Sequence, residues 1–128
     1  MATILLLEPD KSLASSYAKV LEHEGFSVVH CVEIHDAIQK LDAQPIDLIV
    51  LELQIALHNG LEFLYEMRSY SEWQKIPVVL HTSVPQRALD QGDVLKKELN
   101  VHVHLYKPTT SLAKLVETVN SCLLAQNI

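Results

Sequence analysis

Five short apolar runs alternate along the chain with longer stretches of helical spacing, and this alternation restricts the fold more than any other feature. The runs cover residues 4–7, 26–31, 48–51, 76–80 and 101–105, and their lengths and β-branched content are typical of strands. Strands that alternate with helices over short connections pair in parallel through right-handed crossovers. The pattern therefore predicts one α/β domain over residues 1–128, with helices on both faces of a parallel five-stranded sheet.

The stretches between the runs carry apolar side chains at helical intervals. Shared faces are formed by Leu13, Tyr17, Val20 and Leu21, by Ile34, Ala37, Ile38 and Leu41, by Leu61, Leu64 and Met67, and by Leu112, Leu115, Val116 and Val119. A further stretch, residues 87–99, is more polar and is also predicted to be helical. In the last run, Val101, Val103 and Leu105 alternate with polar side chains, which favours an edge strand.

The balance of charge and the use of cysteine narrow the range of partners and compartments. Sixteen acidic against ten basic side chains give a formal charge of −6, which argues against direct binding to nucleic acid. Cys31 and Cys122 form no closely spaced pair, so we expect two reduced thiols in a cytoplasmic protein. The apolar start breaks at Glu8-Pro9, which argues against a targeting signal or a membrane span. The chain ends close to the end of its last predicted helix, so no effector domain is expected.

Polar side chains follow four of the predicted strands. Glu8 and Asp10 come after the first run, Glu52 after the third, Thr82 and Ser83 after the fourth, and Lys107 after the fifth. Ligands bind beyond the carboxyl ends of strands in an open parallel sheet, so these side chains are predicted to converge on one pocket. A simpler interpretation, open for each residue taken singly, is that strand ends are polar because they reach water. Glu52 fits it least well, since a charge that ends a buried run is costly unless it is paired.

Four motifs carry a resemblance to a known family. They are ILLLEPDKSL at the first strand end, DLIVLELQIALHNGLEFL around the third, IPVVLHTS at the fourth and HLYKP at the fifth. With this spacing, the chain resembles a response-regulator receiver domain of the CheY-like superfamily over essentially its whole length. The resemblance implies a flavodoxin-like fold with strand order 2-1-3-4-5. It also implies a pocket that binds Mg²⁺ and takes a phosphoryl group from a histidine kinase onto an aspartate.

Part of the family's pocket is matched by residues of this chain. Thr82, Ser83 and Lys107 stand where the resemblance implies ligands of the phosphoryl oxygens, and the Asn59-Gly60 turn before the third helix also matches. These residues predict a receiver-like pocket.

The remaining pocket positions depart from the family pattern. Glu52 stands at the acceptor position, where the family has aspartate. Glu8 matches the first acid of the metal-binding pair, but the second falls on Pro9, which has neither a carboxylate nor an amide N–H. Asp10 follows it and is interpreted as the cap of the first helix. His104 occupies the position of the aromatic switch residue.

The departures argue against phosphorylation. A glutamate is longer than an aspartate by one methylene, about 1.5 Å, which would push the nucleophile into the space of the phosphoryl group. The proline removes a ligand of Mg²⁺. We therefore expect Glu52 to pair with Lys107 directly, with no cofactor, no bound metal and no catalysis.

The predicted function is that of a signalling module of two-component type, which acts in a fixed state by contact with a protein partner. The resemblance places this contact on the fourth helix, fifth strand and fifth helix, where His104 lies, and a homodimer is one form that it could take. Two alternatives stay open. In one, Glu8, Asp10 and Glu52 still hold Mg²⁺ and the chain accepts a phosphoryl group from a histidine kinase. In the other, the pocket has no function.

The remaining histidines and aromatic residues suggest structural roles. Seven histidines show no spacing typical of a zinc site. His81 lies inside an apolar run and is predicted to be a neutral core histidine. Trp73, Tyr65 and Tyr70 are predicted to be packing residues.

Overall fold

A five-stranded parallel sheet forms the centre of the computed structural model, which describes residues 1–55, 58–89 and 92–126. Its strands are β1 (Thr3–Leu7), β2 (Ser27–Cys31), β3 (Leu48–Leu51), β4 (Val78–Thr82) and β5 (Val101–Tyr106). They lie in the order β2-β1-β3-β4-β5, and each neighbouring pair is parallel. The predicted α/β class, strand order and edge position of the fifth strand are confirmed.

Helices cover both faces of the sheet. They are α1 (Lys11–His23), α2 (Ile34–Ala43), α3 (Gly60–Arg68), α4 (Gly92–Lys97) and α5 (Leu112–Gln126). One core is formed by α1 and α5 against the sheet, and a second core by α2, α3 and the Leu95–Leu99 region on the opposite face. Because successive strand residues point to opposite faces, Ile4 and Leu6 enter the first core while Leu5 and Leu7 enter the second.

Two elements differ from the prediction by two residues or more. The fourth strand begins two residues later than predicted, at Val78, because Pro77 has no N–H to donate; its carbonyl accepts from the Ile49 N–H instead. The helix predicted over residues 87–99 is shorter. A 3₁₀ turn, Gln86–Ala88, precedes the described helix Gly92–Lys97, and the predicted residue Asp90 lies outside the described part of the chain.

The fifth strand contains a bulge that the alternating sequence did not predict. Val78 pairs with Val101, but the next residue, Val79, pairs with Val103, so His102 is extra. Val101 therefore enters the core under α2 and α3, whereas Val103 and Leu105 pack on the α1–α5 side. The alternation of apolar and polar residues in this strand therefore does not put all three apolar side chains on one face of the sheet.

A buried arginine joins the end of α3 to two other segments of the chain. Arg68, 8% exposed, donates to the carbonyl oxygens of Leu99, Trp73, Ile76 and Asn100 at 2.7–3.2 Å. Burial lowers the pKa of this arginine to about 10. Its hydrogen bonds hold the end of α3 to the segments that enter β4 and β5.

The aromatic residues near α3 pack less than predicted. Trp73 is buried, and Tyr70 lies against it with ring centroids 4.9 Å apart. Tyr70 is nevertheless 44% exposed and Tyr65 50% exposed, so the prediction of a packing role is wrong for Tyr65.

Among the described residues, no helix has the length and apolar character needed to cross a bilayer.

Candidate functional site

The carboxyl ends of β1, β3 and β5 bring two glutamates and a lysine into direct contact. Glu8 and Glu52 are 2% and 4% exposed, respectively. Lys107 Nζ lies 2.5 Å from Glu8 Oε1 and 2.8 Å from Glu52 Oε1. The predicted contact between Glu52 and Lys107 is therefore present, and the ammonium group also binds Glu8. We call Glu8, Glu52 and Lys107 the lysine bridge.

Glu52 accepts hydrogen bonds from two further segments. The Thr82 hydroxyl donates to Oε2, which also accepts from the Gln54 N–H at 3.0 Å. Oε1 accepts from the Ser83 N–H at 3.2 Å, while the Ser83 hydroxyl donates to Gln54 Oε1 at 2.7 Å and lies 3.4 Å from Glu52 Oε1. The Thr82 oxygen itself accepts from the Val84 N–H at 3.1 Å. Thr82 and Ser83, predicted as pocket residues, thus bind the glutamate.

A glycine allows the loop after Glu52 to pack closely against α3. A Cβ atom on Gly60 would lie 2.8 Å from Leu53 Cα and 3.1 Å from the Glu52 carbonyl oxygen. The Gly60 N–H donates to the Leu53 carbonyl at 2.8 Å, and Asn59 caps α3 through Leu61 N. Between Glu52 and Gly60, a short antiparallel ladder is formed by Gln54–Ile55 and His58–Asn59. The predicted Asn59-Gly60 motif therefore fixes the backbone that carries Glu52.

The contact between Glu52 and Lys107 favours the charged forms of both side chains. Burial raises the pKa of Glu52, but hydrogen bonds from Lys107, Thr82 and the Gln54 N–H outweigh it and hold the pKa below its usual value. Burial lowers the pKa of Lys107, yet hydrogen bonds to Glu52 and Glu8 raise it above its usual value. Two carboxylates and one ammonium leave a net charge of −1 within the bridge.

The residues present do not fit the magnesium ion that the receiver resemblance implies. The ammonium of Lys107 already lies between the oxygens of Glu8 and Glu52. Pro9 offers no side-chain ligand, and Asp10 uses its Oδ1 to cap α1 by accepting from Leu13 N at 3.0 Å. Asp10 contacts the bridge through its backbone, whose N–H donates to Glu8 Oε2 at 3.0 Å. Within the described residues, no group of three or more His, Cys, Asp or Glu side chains could hold a metal ion.

A histidine and a tyrosine are buried close to the lysine bridge. His81 is 4% exposed, and its ring meets the Tyr17 ring edge-on with centroids 4.7 Å apart. Burial and the positive charge of Lys107 lower the pKa of His81 to about 4, so the ring is neutral at pH 7, as predicted. Sequence reasoning did not place Tyr17 or Gln54 at this site. For Gln54 the available signal was its position two residues after Glu52, whereas Tyr17 could not be told from an ordinary core residue of α1.

His104 is half-buried and faces the segment that follows β4. Its Nε2 lies 2.8 Å from the Val84 carbonyl oxygen, and since a carbonyl only accepts, Nε2 carries the proton. Nδ1 is buried and, among the described groups, has no hydrogen-bond partner. The ring also lines a cavity of about 40 Å³ beside Leu89 and Leu95. His104 therefore holds the Val84 segment against β5, and its contact with a partner stays a prediction.

Comparison with known proteins gives consistent matches. The family model described as the response regulator receiver domain matches residues 4–120. The transcriptional regulatory protein CpxR of Escherichia coli K12 is 32% identical over 108 residues, which are 84% of this chain and 44% of CpxR. The alginate biosynthesis regulatory protein AlgB of Pseudomonas aeruginosa is 31% identical over 87 residues, 68% of this chain and 19% of AlgB. The chain thus spans less than half the length of these curated relatives.

Two solved structures share the fold over nearly the whole chain. A two-component response regulator from Clostridium difficile superposes with a TM-score of 0.84 at 24% identity and covers all of both chains. A CheY-like receiver domain protein from Methanospirillum hungatei has a TM-score of 0.86 at 17% identity, over 99% of this chain and 97% of the other.

Proposed function

Since the chain belongs to the response-regulator receiver domain family, we propose that it is a signalling module whose pocket is closed by the lysine bridge and is not phosphorylated. Receiver domains are signalling modules of two-component systems and interact with proteins. In this proposal the chain acts by contact with a protein partner while it stays in one state. No catalytic activity is proposed for the pocket.

The contact of Lys107 with both Glu8 and Glu52 is the observation that carries this proposal. In-line phosphoryl transfer requires a carboxylate oxygen with an accessible lone pair and positive charge around the incoming phosphoryl oxygens. An ionised carboxylate offers about four lone-pair directions, and those of Glu52 accept from Lys107, Thr82, Ser83 and the Gln54 N–H. The lysine that would meet a phosphoryl group is occupied by the carboxylates.

The bridge also supports a fixed state of the sheet edge. Lys107 follows β5, so its contacts tie the end of the edge strand to the ends of β1 and β3. The proposed partner surface consists of α4, β5 and α5, and a homodimer through this surface belongs to the proposal. We place the protein in the cytoplasm, where the buried free thiols of Cys31 and Cys122 would stay reduced.

Acetyl phosphate with Mg²⁺ tests the proposal directly. The chain is incubated with both and weighed intact, while its amide NMR spectrum is recorded before and after the addition. We expect no phosphoryl adduct and no change in the amide signals of β5 and α5. A receiver domain with an aspartate acceptor, which must gain the adduct under the same conditions, is the positive control.

Phosphorylation of Glu52 would overturn the proposal. Its signature is an adduct on the wild-type chain that is lost in Glu52→Ala and is accompanied by shifts in β5. This outcome would favour the alternative in which Glu8, Asp10 and Glu52 hold Mg²⁺ and glutamate accepts the phosphoryl group from a histidine kinase.

A further inference from the structure

Two cavities lie along the seam between α2 and the chain segment from Glu62 to Ile76. The first has a volume of about 290 Å³ and lies between the first turns of α2 and α3. It is lined by Ile34, His35, Ile38, Glu62, Phe63 and Glu66. The second, of about 490 Å³, lies at the other end of α2. Its lining includes Leu41, Asp42, Ile46, Glu72, Trp73 and Ile76. We call these two cavities and their rims the α2–α3 seam.

The charge of the α2–α3 seam is mainly acidic. Its two cavities are lined by Asp42, Glu62, Glu66 and Glu72, and by no lysine or arginine of the described chain. Lys40 of α2 is not among the lining residues, and the exposed Lys75, between the lining residues Trp73 and Ile76 in sequence, adds one positive charge near the second cavity. The larger groove between α1 and α5, about 700 Å³, differs in that Lys19 lines it together with Glu24 and Glu117. The excess of acidic side chains, with Asp42, Glu66 and Glu72 all exposed, favours a positively charged ligand at the seam.

The floor of the α2–α3 seam is apolar and aromatic. Phe63 is fully buried, and Trp73 is 8% exposed at the second cavity. Tyr70 packs on Trp73 with almost half of its surface open to solvent. Lysine and arginine bind the faces of such rings when they lie within about 6 Å, and aromatic residues are the usual anchors of protein interfaces. The apolar surface open to a ligand is therefore that of the half-buried Ile34 and Ile38 at the first cavity and of Tyr70 near the second.

We propose that the α2–α3 seam binds a basic, amphipathic segment of a protein partner. Its apolar side chains enter the cavities, and its lysines and arginines face the acidic rim and Tyr70. An acidic rim repels phosphate groups, which excludes nucleic acid and anionic lipid as ligands of this surface. The seam lies on the opposite face of the sheet from α5 and does not involve the lysine bridge, so this inference goes beyond the proposed function and does not depend on it.

Trp73 provides the readout, because it is the single tryptophan of the chain and lines the second cavity. The probe is a synthetic amphipathic peptide of leucine and lysine, titrated into the full chain while tryptophan emission is followed. We expect a saturable change in emission, with amide NMR shifts concentrated in α2 and α3. A peptide with the same pattern of leucine and glutamate is expected to produce neither.

Two double variants distinguish peptide binding at the seam from attraction to the overall charge of the chain. Glu66→Lys with Glu72→Lys reverses two exposed charges of the seam, while Glu24→Lys with Glu117→Lys makes the same change of charge in the α1–α5 groove. We expect the first pair to weaken peptide binding about tenfold, the effect of losing roughly 1.4 kcal/mol, and the second pair to change it less than about twofold. Far-ultraviolet circular dichroism checks that both variants are folded.

Three results would overturn the inference. They are the absence of saturable binding by the leucine–lysine peptide, equal weakening by both double variants, and amide shifts that fall on α1 and α5 instead of the seam. Equal weakening would show that the peptide responds to the net charge of −6 and not to a site.

Discussion

Lys107 shows how one side chain can supply the positive charge that a pair of buried carboxylates requires. Glu8 and Glu52 are almost fully buried, and transfer of an ionised carboxylate out of water costs several kcal/mol unless it is paired. The two hydrogen bonds of Lys107 Nζ, at 2.5 and 2.8 Å, satisfy one oxygen of each glutamate. The longer reach of glutamate, compared with aspartate, allows Glu52 to meet this ammonium group.

Replacement of Lys107 is expected to be strongly destabilising. Lys107→Met keeps most of the side-chain volume but leaves two buried carboxylates without a cation, which costs about 3 kcal/mol at pH 7. The loss should shrink toward pH 4, because burial raises the pKa of Glu52 once the hydrogen bond from Lys107 is removed, so that this carboxylate is more easily protonated. Urea unfolding at both pH values measures it.

Lys114→Met is the matched control for this variant. Lys114 is exposed and lies 3.5 Å from the exposed Glu117, a pair of a kind that contributes less than about 1 kcal/mol. Equal losses from the two lysine variants, or a Lys107→Met loss that is independent of pH, would contradict the role assigned to the bridge.

At the scale of elements, the junction between β3 and α3 determines where Glu52 lies. Gly60 begins α3 against the backbone of Leu53, at a distance that leaves no room for a Cβ atom. The loop that passes this glycine carries the Gln54 N–H, which donates to Glu52 Oε2. Close packing of a helix start thus sets the position of a functional side chain.

Gly60→Ala is expected to move this loop and disturb the pocket. The new methyl group forces Leu53 and the Glu52 carbonyl to shift, at a cost of about 1–3 kcal/mol, and the amide signals of Gln54 and Ser83 should move with Glu52. Gly25→Ala is the control. Gly25 has φ +94° and open space around its Cβ position, so alanine there introduces backbone strain only. Unchanged Gln54 and Ser83 signals in Gly60→Ala would show that Glu52 does not depend on this contact.

The elements that could be predicted from the sequence are those with local signals. Buried parallel strands appear in the sequence as continuous apolar runs. The polar residues that follow these runs predicted the pocket, and the fold brings them together: Glu8, Glu52, Thr82, Ser83 and Lys107. A bulge leaves no mark in an alternating pattern, because the extra residue, His102, is defined only by the partner strand.

Arg68 could not be predicted for a similar reason. An arginine in the last turn of a helix normally reaches solvent. This one is buried and donates to four carbonyl oxygens, two from the segment before β4 and two from the segment before β5. His104 looked like a surface residue of an edge strand, yet the Val84 carbonyl holds its ring inward. In both cases, backbone carbonyl oxygens that are distant in sequence determine where the side chain lies.

At the scale of the whole molecule, the buried charges determine how stability depends on pH. The pKa of Glu52 is lowered in the folded state, so its contribution is present above its ordinary pKa and is lost as the pH falls through the folded value. The pKa of Lys107 is raised, so its contribution is present below its ordinary pKa and is lost in strong alkali. The ion pair between Glu52 and Lys107 is therefore present throughout the neutral range.

His81 is expected to reduce the free energy of unfolding at a pH closer to neutral than Glu52 does. Its pKa is about 4 when folded and 6.5 in its unperturbed state, so the unfolded chain binds a proton between these values while the folded chain does not. The free energy of unfolding should therefore decrease as the pH falls from 6.5 to 4, by up to about 3 kcal/mol.

The variant His81→Leu should remove most of this decrease. Leucine fills a similar volume against Tyr17 and cannot be protonated, so the free energy of unfolding of the variant should change little between pH 6.5 and pH 4.5, where Glu52 is still ionised. Urea unfolding at half-unit steps of pH measures both profiles. His23→Leu, which removes an exposed histidine at the end of α1, is the control and should keep the wild-type profile. If the free energy of unfolding of His81→Leu depends on pH as in the wild type, the acid sensitivity arises from other groups. In that case, burial of the His81 ring does not reduce stability in acid.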